Sequence, residues 1–125
     1  MKKSPDAAIP HNNLGLANLE RNRIDEAVTE FMTALKPNPD EAWAHNNLGN
    51  AYLKQNRIDE AIIQYNIALR LMPDYAEAYG NLGAAYLDQN RLDDAVNEFI
   101  TVLKLKPDDT EARHNLEICY KKMKA

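Results

Sequence analysis

A segment of 34 residues is repeated along the chain, and this repetition limits the possible folds more than any other feature of the sequence. The repeats 8–41 and 42–75 share 18 of 34 residues without a gap, and the repeats 42–75 and 76–109 share 17 of 34. Residues 110–125 resume the pattern as a partial fourth repeat. Such repetition is typical of chains that stack similar elements, because one repeat cannot bury its apolar face alone. We therefore expect a single repeat domain over residues 1–125.

Each repeat carries the signals of two helices joined by a tight turn. Apolar and small residues recur at helical spacing in the first half of each repeat. Asn22, Asn56 and Asn90 follow these segments, at the place where a sharp reversal needs a left-handed backbone. Acidic residues such as Asp59 and Glu60 then open the second helix, as the positive end of its dipole favours. The sequence therefore predicts an all-α chain of helix pairs.

Small, aromatic and proline residues recur at the same places in successive repeats. In the second repeat they are Leu48, Gly49, Tyr52, Ala61, Tyr65, Ala68 and Pro73, and in the third they are Leu82, Gly83, Tyr86, Ala95, Phe99 and Pro107. These residues resemble the signature of the tetratricopeptide repeat family, from which the first repeat departs at Asn18, a usual tyrosine position. The resemblance implies a right-handed helical-repeat solenoid of three helix pairs, with a capping helix or truncated fourth repeat at 110–125. Proline suits a first helical turn, so we expect the first helix to begin near Pro10.

The same resemblance implies that the first helix of each repeat lines a concave groove that binds a segment of another protein. Helical geometry, at about 100° per residue, separates a core face of these helices from a second face. Our candidate peptide-binding residues on that second face are Ile9, Asn12, Asn13, Leu16, Trp43, Asn46, Asn47, Asn50, Glu77, Asn81, Asp88 and Asn115. We therefore predict an interaction scaffold whose partner is a protein or an extended peptide.

One asparagine of this set recurs every 34 residues, at Asn13, Asn47, Asn81 and Asn115. A carboxamide both donates and accepts hydrogen bonds, so such a row could pair with the backbone of an extended peptide. The row is similar to the asparagine ladder in the repeat region of the O-linked N-acetylglucosamine transferases, which holds extended peptides by their backbone. Alternatively, these side chains bond neighbouring repeats and stabilise the stack. Trp43, the only tryptophan, is either an anchor for the partner or a residue packed between the first two repeats.

Two further binding modes can be examined in the sequence. Tetratricopeptide modules that hold the C-terminal carboxylate of chaperones use lysine, asparagine and arginine at set positions. Here no cation occupies those positions, and Glu77 or Glu111 would repel the carboxylate, so we predict no binding of a chaperone tail. On the second helix of the second repeat, Ile63 and Ile67 are either a weak self-association patch or two scattered exposed apolar residues.

The sequence contains no recognisable catalytic or metal-binding pattern. His11 and His45 are one repeat apart, and at about 10 Å they would be too far from each other to share a zinc ion. We therefore expect no enzyme activity, no metal and no cofactor. The net charge of −4 argues against nucleic acid, and no apolar run is long enough to cross a membrane. We expect a cytoplasmic protein; the alternatives to a peptide-binding scaffold are a self-associating structural module and the repeat fragment of a larger protein.

Overall fold

The computed structural model describes residues 5–125, with side chains from Pro10 onward. These residues form seven α-helices and no strand: α1 Pro5–Glu20, α2 Ile24–Leu35, α3 Ala42–Lys54, α4 Ile58–Leu71, α5 Ala76–Asp88, α6 Leu92–Leu105 and α7 Thr110–Lys124. They fall into two compact units, an N-terminal unit that ends at Met72 and a C-terminal unit over Pro73–Ala125. The N-terminal unit contains α1 to α4, and the C-terminal unit contains α5 to α7.

Each helix pair of the structure corresponds to one repeat of the sequence. In the N-terminal unit, α1 packs against α2 and α3 packs against α4, while contacts between α2 and α3 join the two pairs. In the C-terminal unit, α5 packs against α6, and the single helix α7 packs against α6. Ala112 and Cys119 of α7 are buried in the apolar cluster around Phe99. The predicted all-α helical repeat is therefore confirmed.

The two helices of a pair approach closely where a glycine faces an aromatic ring. A Cβ atom at Gly49 would lie 2.6 Å from Cε1 of Tyr65, and a Cβ atom at Gly83 would lie 2.8 Å from Cε1 of Phe99. Both rings are buried, with exposed fractions of 0% and 1%. Because no side chain fits between the helix backbone and the ring, packing requires glycine here in spite of its low helix propensity.

The turn inside each repeat is closed by an asparagine with a left-handed backbone. Asn22, Asn56 and Asn90 have φ angles of 59°, 60° and 58°. In the second repeat, the amide of Arg57 donates to the carbonyl oxygen of Tyr52 across this turn, at 2.8 Å. Bonds of this kind satisfy carbonyl groups that the end of a helix would otherwise leave unpaired. The predicted left-handed asparagines are therefore confirmed.

A polar side chain in the first turns of α3, α5 and α7 ties each helix to the proline before it. His45 Nε2 lies 2.8 Å from the carbonyl oxygen of Pro39, and the Tyr79 hydroxyl donates to that of Pro73, also at 2.8 Å. Arg113 makes the same bond in α7, at 2.9 Å. Three unrelated residue types serve here because the contact needs only a donor at the tip of the side chain. The sequence does not reveal this shared bond, since the three side chains have little in common.

The first helix begins earlier than the sequence predicts. α1 starts at Pro5, so Pro10 lies inside the helix and the expected start near Pro10 is wrong. An internal proline removes one backbone hydrogen bond and crowds the preceding turn. The packing of α1 against both α2 and α3 offsets this cost. Asn18, which departs from the family pattern, is also buried in this helix, with 8% of its surface exposed.

Glu98 of α6 lacks the partner that its counterpart in α4 has. Gln64, at the same position of α4, contacts Nδ1 of His45 at 2.8 Å. α5 carries Tyr79 in place of that histidine, and among the described residues none hydrogen-bonds the Glu98 side chain. Burial raises the pKa of Glu98 above its ordinary value, and the negative charge of Asp94 raises it further. The ionised carboxylate is therefore less favourable in the folded protein than in the unfolded chain.

Replacing Glu98 by glutamine is expected to raise the free energy of unfolding at neutral pH, by about 0.2–0.5 kcal/mol for the repulsion from Asp94. The pKa of Glu98 is higher in the folded protein than in the unfolded chain. The wild-type protein therefore becomes less stable as the pH rises through the folded-state pKa and Glu98 loses its proton. The advantage of the variant is thus complete above the folded-state pKa and absent below the unfolded value of 4.5. Urea denaturation of both proteins at neutral and acidic pH measures it. If the variant is more stable by the same amount at both pH values, the pKa of Glu98 is not raised in the folded protein.

Candidate functional site

The C-terminal unit contains a cavity of about 310 Å³ bordered by α5, α6 and α7. We call it the α5–α7 cavity, and its lining residues are Ala76, Glu77, Gly80, Asn81, Ala84, Phe99, Val102, Lys106, Asp109, Glu111, Ala112 and Asn115. Three predicted peptide-binding residues, Glu77, Asn81 and Asn115, are among them. The fold brings them together because α5 and α7, the first helices of successive repeats, contact each other.

The base of this cavity is apolar and well packed. Phe99 and Val102 of α6 line it, and their exposed fractions are only 1% and 3%. Alanines of α5 and α7 line the walls beside them. Both α6 residues also belong to the buried cluster that holds α7 in place. The base of the cavity is therefore part of the core and is held rigidly.

The cavity is open at Gly80 because this residue has no side chain. A Cβ atom added there would meet only Val102 Cγ2, at 3.9 Å. In the N-terminal unit the equivalent residue is Asn12, whose Oδ1 accepts a hydrogen bond of 2.7 Å from Nδ2 of Asn47. Asn115 is the counterpart of Asn47, and no described residue hydrogen-bonds its side chain. Glycine in place of asparagine thus leaves both an open space and an available amide.

The charged residues at the cavity are mainly acidic. Glu77 and Glu111 are exposed residues in the first turns of α5 and α7. Asp109 precedes α7, and its Oδ1 accepts a hydrogen bond of 2.9 Å from the Ala112 amide, which caps the helix. Lys106 is the one cation among the lining residues. Three carboxylates and one ammonium group therefore give the rim of the cavity a negative balance.

Several predicted binding residues of the N-terminal unit have structural partners instead. Asn46 is completely buried, with 0% of its surface exposed. The prediction that Asn46 contacts a ligand is therefore wrong. Asn50 accepts a hydrogen bond of 2.5 Å from the Tyr65 hydroxyl. Together with the bond from Asn47 to Asn12, this supports the alternative that some of the asparagines hold neighbouring helices together.

The remaining predicted residues differ in accessibility. Asn13 and Leu16 are exposed and Trp43 is half-buried, so their binding role stays a prediction. Asp88 is exposed at the end of α5 and does not line the α5–α7 cavity. Ile9 lies outside the residues whose side chains the structure describes. In the predicted self-association patch, Ile63 is 55% exposed whereas Ile67 is only partly exposed.

Neither the apolar base of the cavity nor the residue that opens it was predicted from the sequence. Phe99 and Val102 read as ordinary core residues, because helical spacing cannot show that a core side chain also borders a cavity. Gly80 can nevertheless be distinguished in the sequence. It is the one glycine at a position where the first two repeats carry Asn12 and Asn46.

The described part of the chain contains neither a candidate membrane span nor a candidate metal-binding group. None of the helices in that part combines the length and the apolar character that a bilayer crossing needs. Within the same residues, no group of three or more His, Cys, Asp or Glu side chains is arranged to hold a metal ion.

Comparison with known protein families identifies the repeat. A family model described as TPR repeat matches residues 17–56 and 49–90, and a model described as tetratricopeptide repeat matches residues 76–109. No curated protein sequence matches the chain.

Solved structures of the same fold cover nearly the whole chain. The first TPR of Spaghetti (RPAP3), bound to HSP90 peptide SRMEEVD, is 23% identical over 98% of each chain, with a TM-score of 0.95. The Arabidopsis OM64 TPR domain is 22% identical over 94% of this chain and 97% of that chain, with a TM-score of 0.91. The second TPR domain of the human RPAP3 protein, in complex with HSP70 peptide SGPTIEEVD, is 24% identical over 94% of this chain and 98% of that chain, with a TM-score of 0.87. At these identities the likeness shows the fold alone.

Proposed function

The chain belongs to the tetratricopeptide repeat family, and from this premise we propose that it is an interaction module that binds an extended segment of another polypeptide. The observation that carries the proposal is the Asn115 side chain at the α5–α7 cavity. Its amide borders an open space of about 310 Å³ and has no hydrogen-bond partner among the described residues. A polar group in that position is suited to a ligand that brings its own donors and acceptors.

A peptide backbone fits this description. Its C=O and N–H groups match the donor and acceptor of a carboxamide. Asn81 and Asn115 line the same cavity from α5 and α7, which are neighbouring helices of successive repeats. Packed helices are about 10 Å apart, and an extended chain advances about 3.3 Å per residue, so the two amides would meet every third residue. Asn81 already has a partner of its own, so Asn115 makes the direct contact in this proposal, and the spacing favours an extended ligand.

We also propose that acidic chaperone peptides are not ligands of this chain. The peptide SRMEEVD bound to Spaghetti carries two glutamates and an aspartate. The α5–α7 cavity has Glu77, Asp109 and Glu111 among its lining residues, and like charges at short range repel. The shared fold supports peptide binding in general, whereas these side chains favour a different kind of peptide.

Catalysis is not part of the proposed function. The polar side chains that line the α5–α7 cavity are amides, carboxylates and one lysine, with no histidine, cysteine or serine among them. The cytoplasmic location and the exclusion of nucleic acid stay predictions of the sequence. Weak self-association also stays a prediction, and the exposure of Ile63 is the observation that supports it.

A random peptide library selected on the immobilised chain tests the proposal. We expect enrichment of peptides that bind the wild-type protein, with about 2–10-fold weaker binding to the Asn115→Ala variant. That range corresponds to the loss of a hydrogen bond worth about 0.5–1.5 kcal/mol. Affinities are measured by fluorescence anisotropy with the enriched peptides.

Asn97→Ala provides the matched control, because Asn97 is an exposed asparagine of α6 that does not line the cavity. We expect it to leave the affinities and the melting temperature unchanged. The melting temperature of the Asn115→Ala variant should also be unchanged, since no described contact is lost. Failure to enrich any peptide, or equal affinities for the two alanine variants, would overturn the proposed function.

A further inference from the structure

The α5–α7 cavity combines an apolar lining with a negative rim, and this combination indicates which residue of a peptide it accepts. We infer that the cavity takes a lysine or arginine side chain of the bound segment, with the aliphatic stem beside Gly80 and Ala84 and the cation at Glu77 and Glu111. This inference rests on the proposed function and names the partner class, a neutral or basic polypeptide segment.

The apolar opening of the cavity suits the stem of a long basic side chain. Lysine and arginine bury their methylene groups against apolar surface while the charged end stays in contact with water. The partly exposed Gly80 and Ala84 provide such a surface at the opening of the cavity, above the buried Phe99 and Val102. The cavity volume of about 310 Å³ lies at the lower end of ligand pockets, which hold about 300–1,000 Å³. The space therefore suits one side chain and its backbone rather than a large cofactor.

The charge balance at the rim favours a cation. Glu77, Asp109 and Glu111 carry three negative charges, and Lys106 carries one positive charge. The beginnings of α5 and α7 each add about half a positive charge, which reduces the negative balance without reversing it. Asp109 is partly engaged as the cap of α7, so Glu77 and Glu111 are the carboxylates left for a ligand.

Gly80 determines whether a side chain of the ligand can enter. The corresponding residues in the other first helices are Asn12 in α1, Asn46 in α3 and His114 in α7. In the N-terminal unit, the Asn12 side chain fills this position and bonds Asn47. An asparagine at position 80 would be expected to reach Asn115 in the same way and to close the cavity.

Peptide pools that differ in one residue test the inference on the full chain. The pools consist of short peptides with neutral random flanks, an amidated C terminus and a fixed central residue, which is lysine, arginine, norleucine or glutamate. We expect the lysine and arginine pools to bind roughly fivefold tighter than the norleucine pool, with the difference reduced at high salt. The glutamate pool should bind most weakly.

Variants of the rim and the opening separate charge from shape. The double variant Glu77→Gln/Glu111→Gln is expected to abolish the preference for lysine over norleucine while it retains norleucine binding. Glu117→Gln is the matched control, because Glu117 is an exposed acid of α7 that does not line the cavity. Combined with Glu20→Gln, at a second exposed acid outside the cavity, it changes the net charge by the same two units and should leave the preference intact. Gly80→Asn should weaken the lysine, arginine and norleucine pools alike, because it closes the cavity to each of them.

The outcomes distinguish this inference from the proposed function. Equal binding of the lysine and norleucine pools, or a lysine preference that survives the double variant, overturns the inference and leaves peptide binding in place. If neither the library selection nor any pool yields binding, the proposed function fails and the inference fails with it. Circular dichroism of each variant verifies that it is folded before its binding is measured.

Discussion

Replacing Gly49 by alanine is expected to lower the free energy of unfolding, although alanine favours helices more than glycine does. The added Cβ would lie 2.6 Å from Cε1 of Tyr65 and 2.8 Å from its Cδ1. The ring cannot easily move away, because it is completely buried and its hydroxyl bonds Asn50. Overpacking of this kind costs about 1–3 kcal/mol, and the gain in helix propensity offsets about 1 kcal/mol of it. Leucine at position 49 would be worse, since its side chain is larger.

The matched control is Gly80→Ala, the same substitution in the first helix of the third repeat. A Cβ atom at Gly80 would meet only Val102 Cγ2, at an ordinary contact distance of 3.9 Å. We expect this variant to be more stable than the wild type, by up to about 1 kcal/mol. Thermal unfolding should therefore separate the two alanine variants by about 1–3 kcal/mol, or roughly 4–12 °C. If the melting temperature of Gly49→Ala equals or exceeds that of Gly80→Ala, α3 does not approach the Tyr65 ring as closely as the structure indicates.

Replacing Asn90 by valine is expected to lower the free energy of unfolding by about 1–3 kcal/mol. Asn90 has a φ angle of 58°, in a left-handed region that a β-branched residue adopts only with strain. The chain reverses here between α5 and α6, and the bond from the Arg91 amide to the Tyr86 carbonyl, at 2.8 Å, depends on that conformation. Chemical denaturation of the purified variant measures the change.

Asn90→Gly is the control for this substitution, because glycine adopts positive φ without a steric penalty. Its stability should equal that of the wild type to within a few tenths of a kcal/mol. The same pair of substitutions at Asn56, where φ is 60°, should give the same order, since the two turns are alike. Valine variants as stable as the glycine variants would show that the turn does not require the left-handed conformation.

The features predicted correctly from the sequence are those that depend on neighbouring residues or on periodicity. Asn56 and Asn90 were identified as left-handed because a helix that reverses sharply permits few other residues. Gly49 and Gly83 also recur at constant spacing in the sequence, although only the structure shows that they face the rings of Tyr65 and Phe99. These features can be recognised in a single sequence because they recur in each repeat.

The errors concern properties that depend on how many helices cover a given face. Asn46 and Asn47 are adjacent in α3, and both were assigned to the binding face, yet Asn46 is buried while Asn47 remains partly exposed. Pro10 was expected to start a helix, whereas contacts of α1 with two other helices stabilise a longer helix around it. Helical periodicity shows on which side of a helix a residue lies, but it does not show how many other helices cover that side.

The repeat length, the pairing of helices and the turn asparagines follow from the sequence alone, because backbone conformation and spacing are local properties. The packing of the helices determines which asparagines hold helices together, and it leaves Asn115 available at the cavity. It also determines that Gly80 opens a cavity over Phe99, with Asn115 and two glutamates at its edge. The cavity is formed by side chains of three helices, so its existence depends on how these helices pack and not on any one segment.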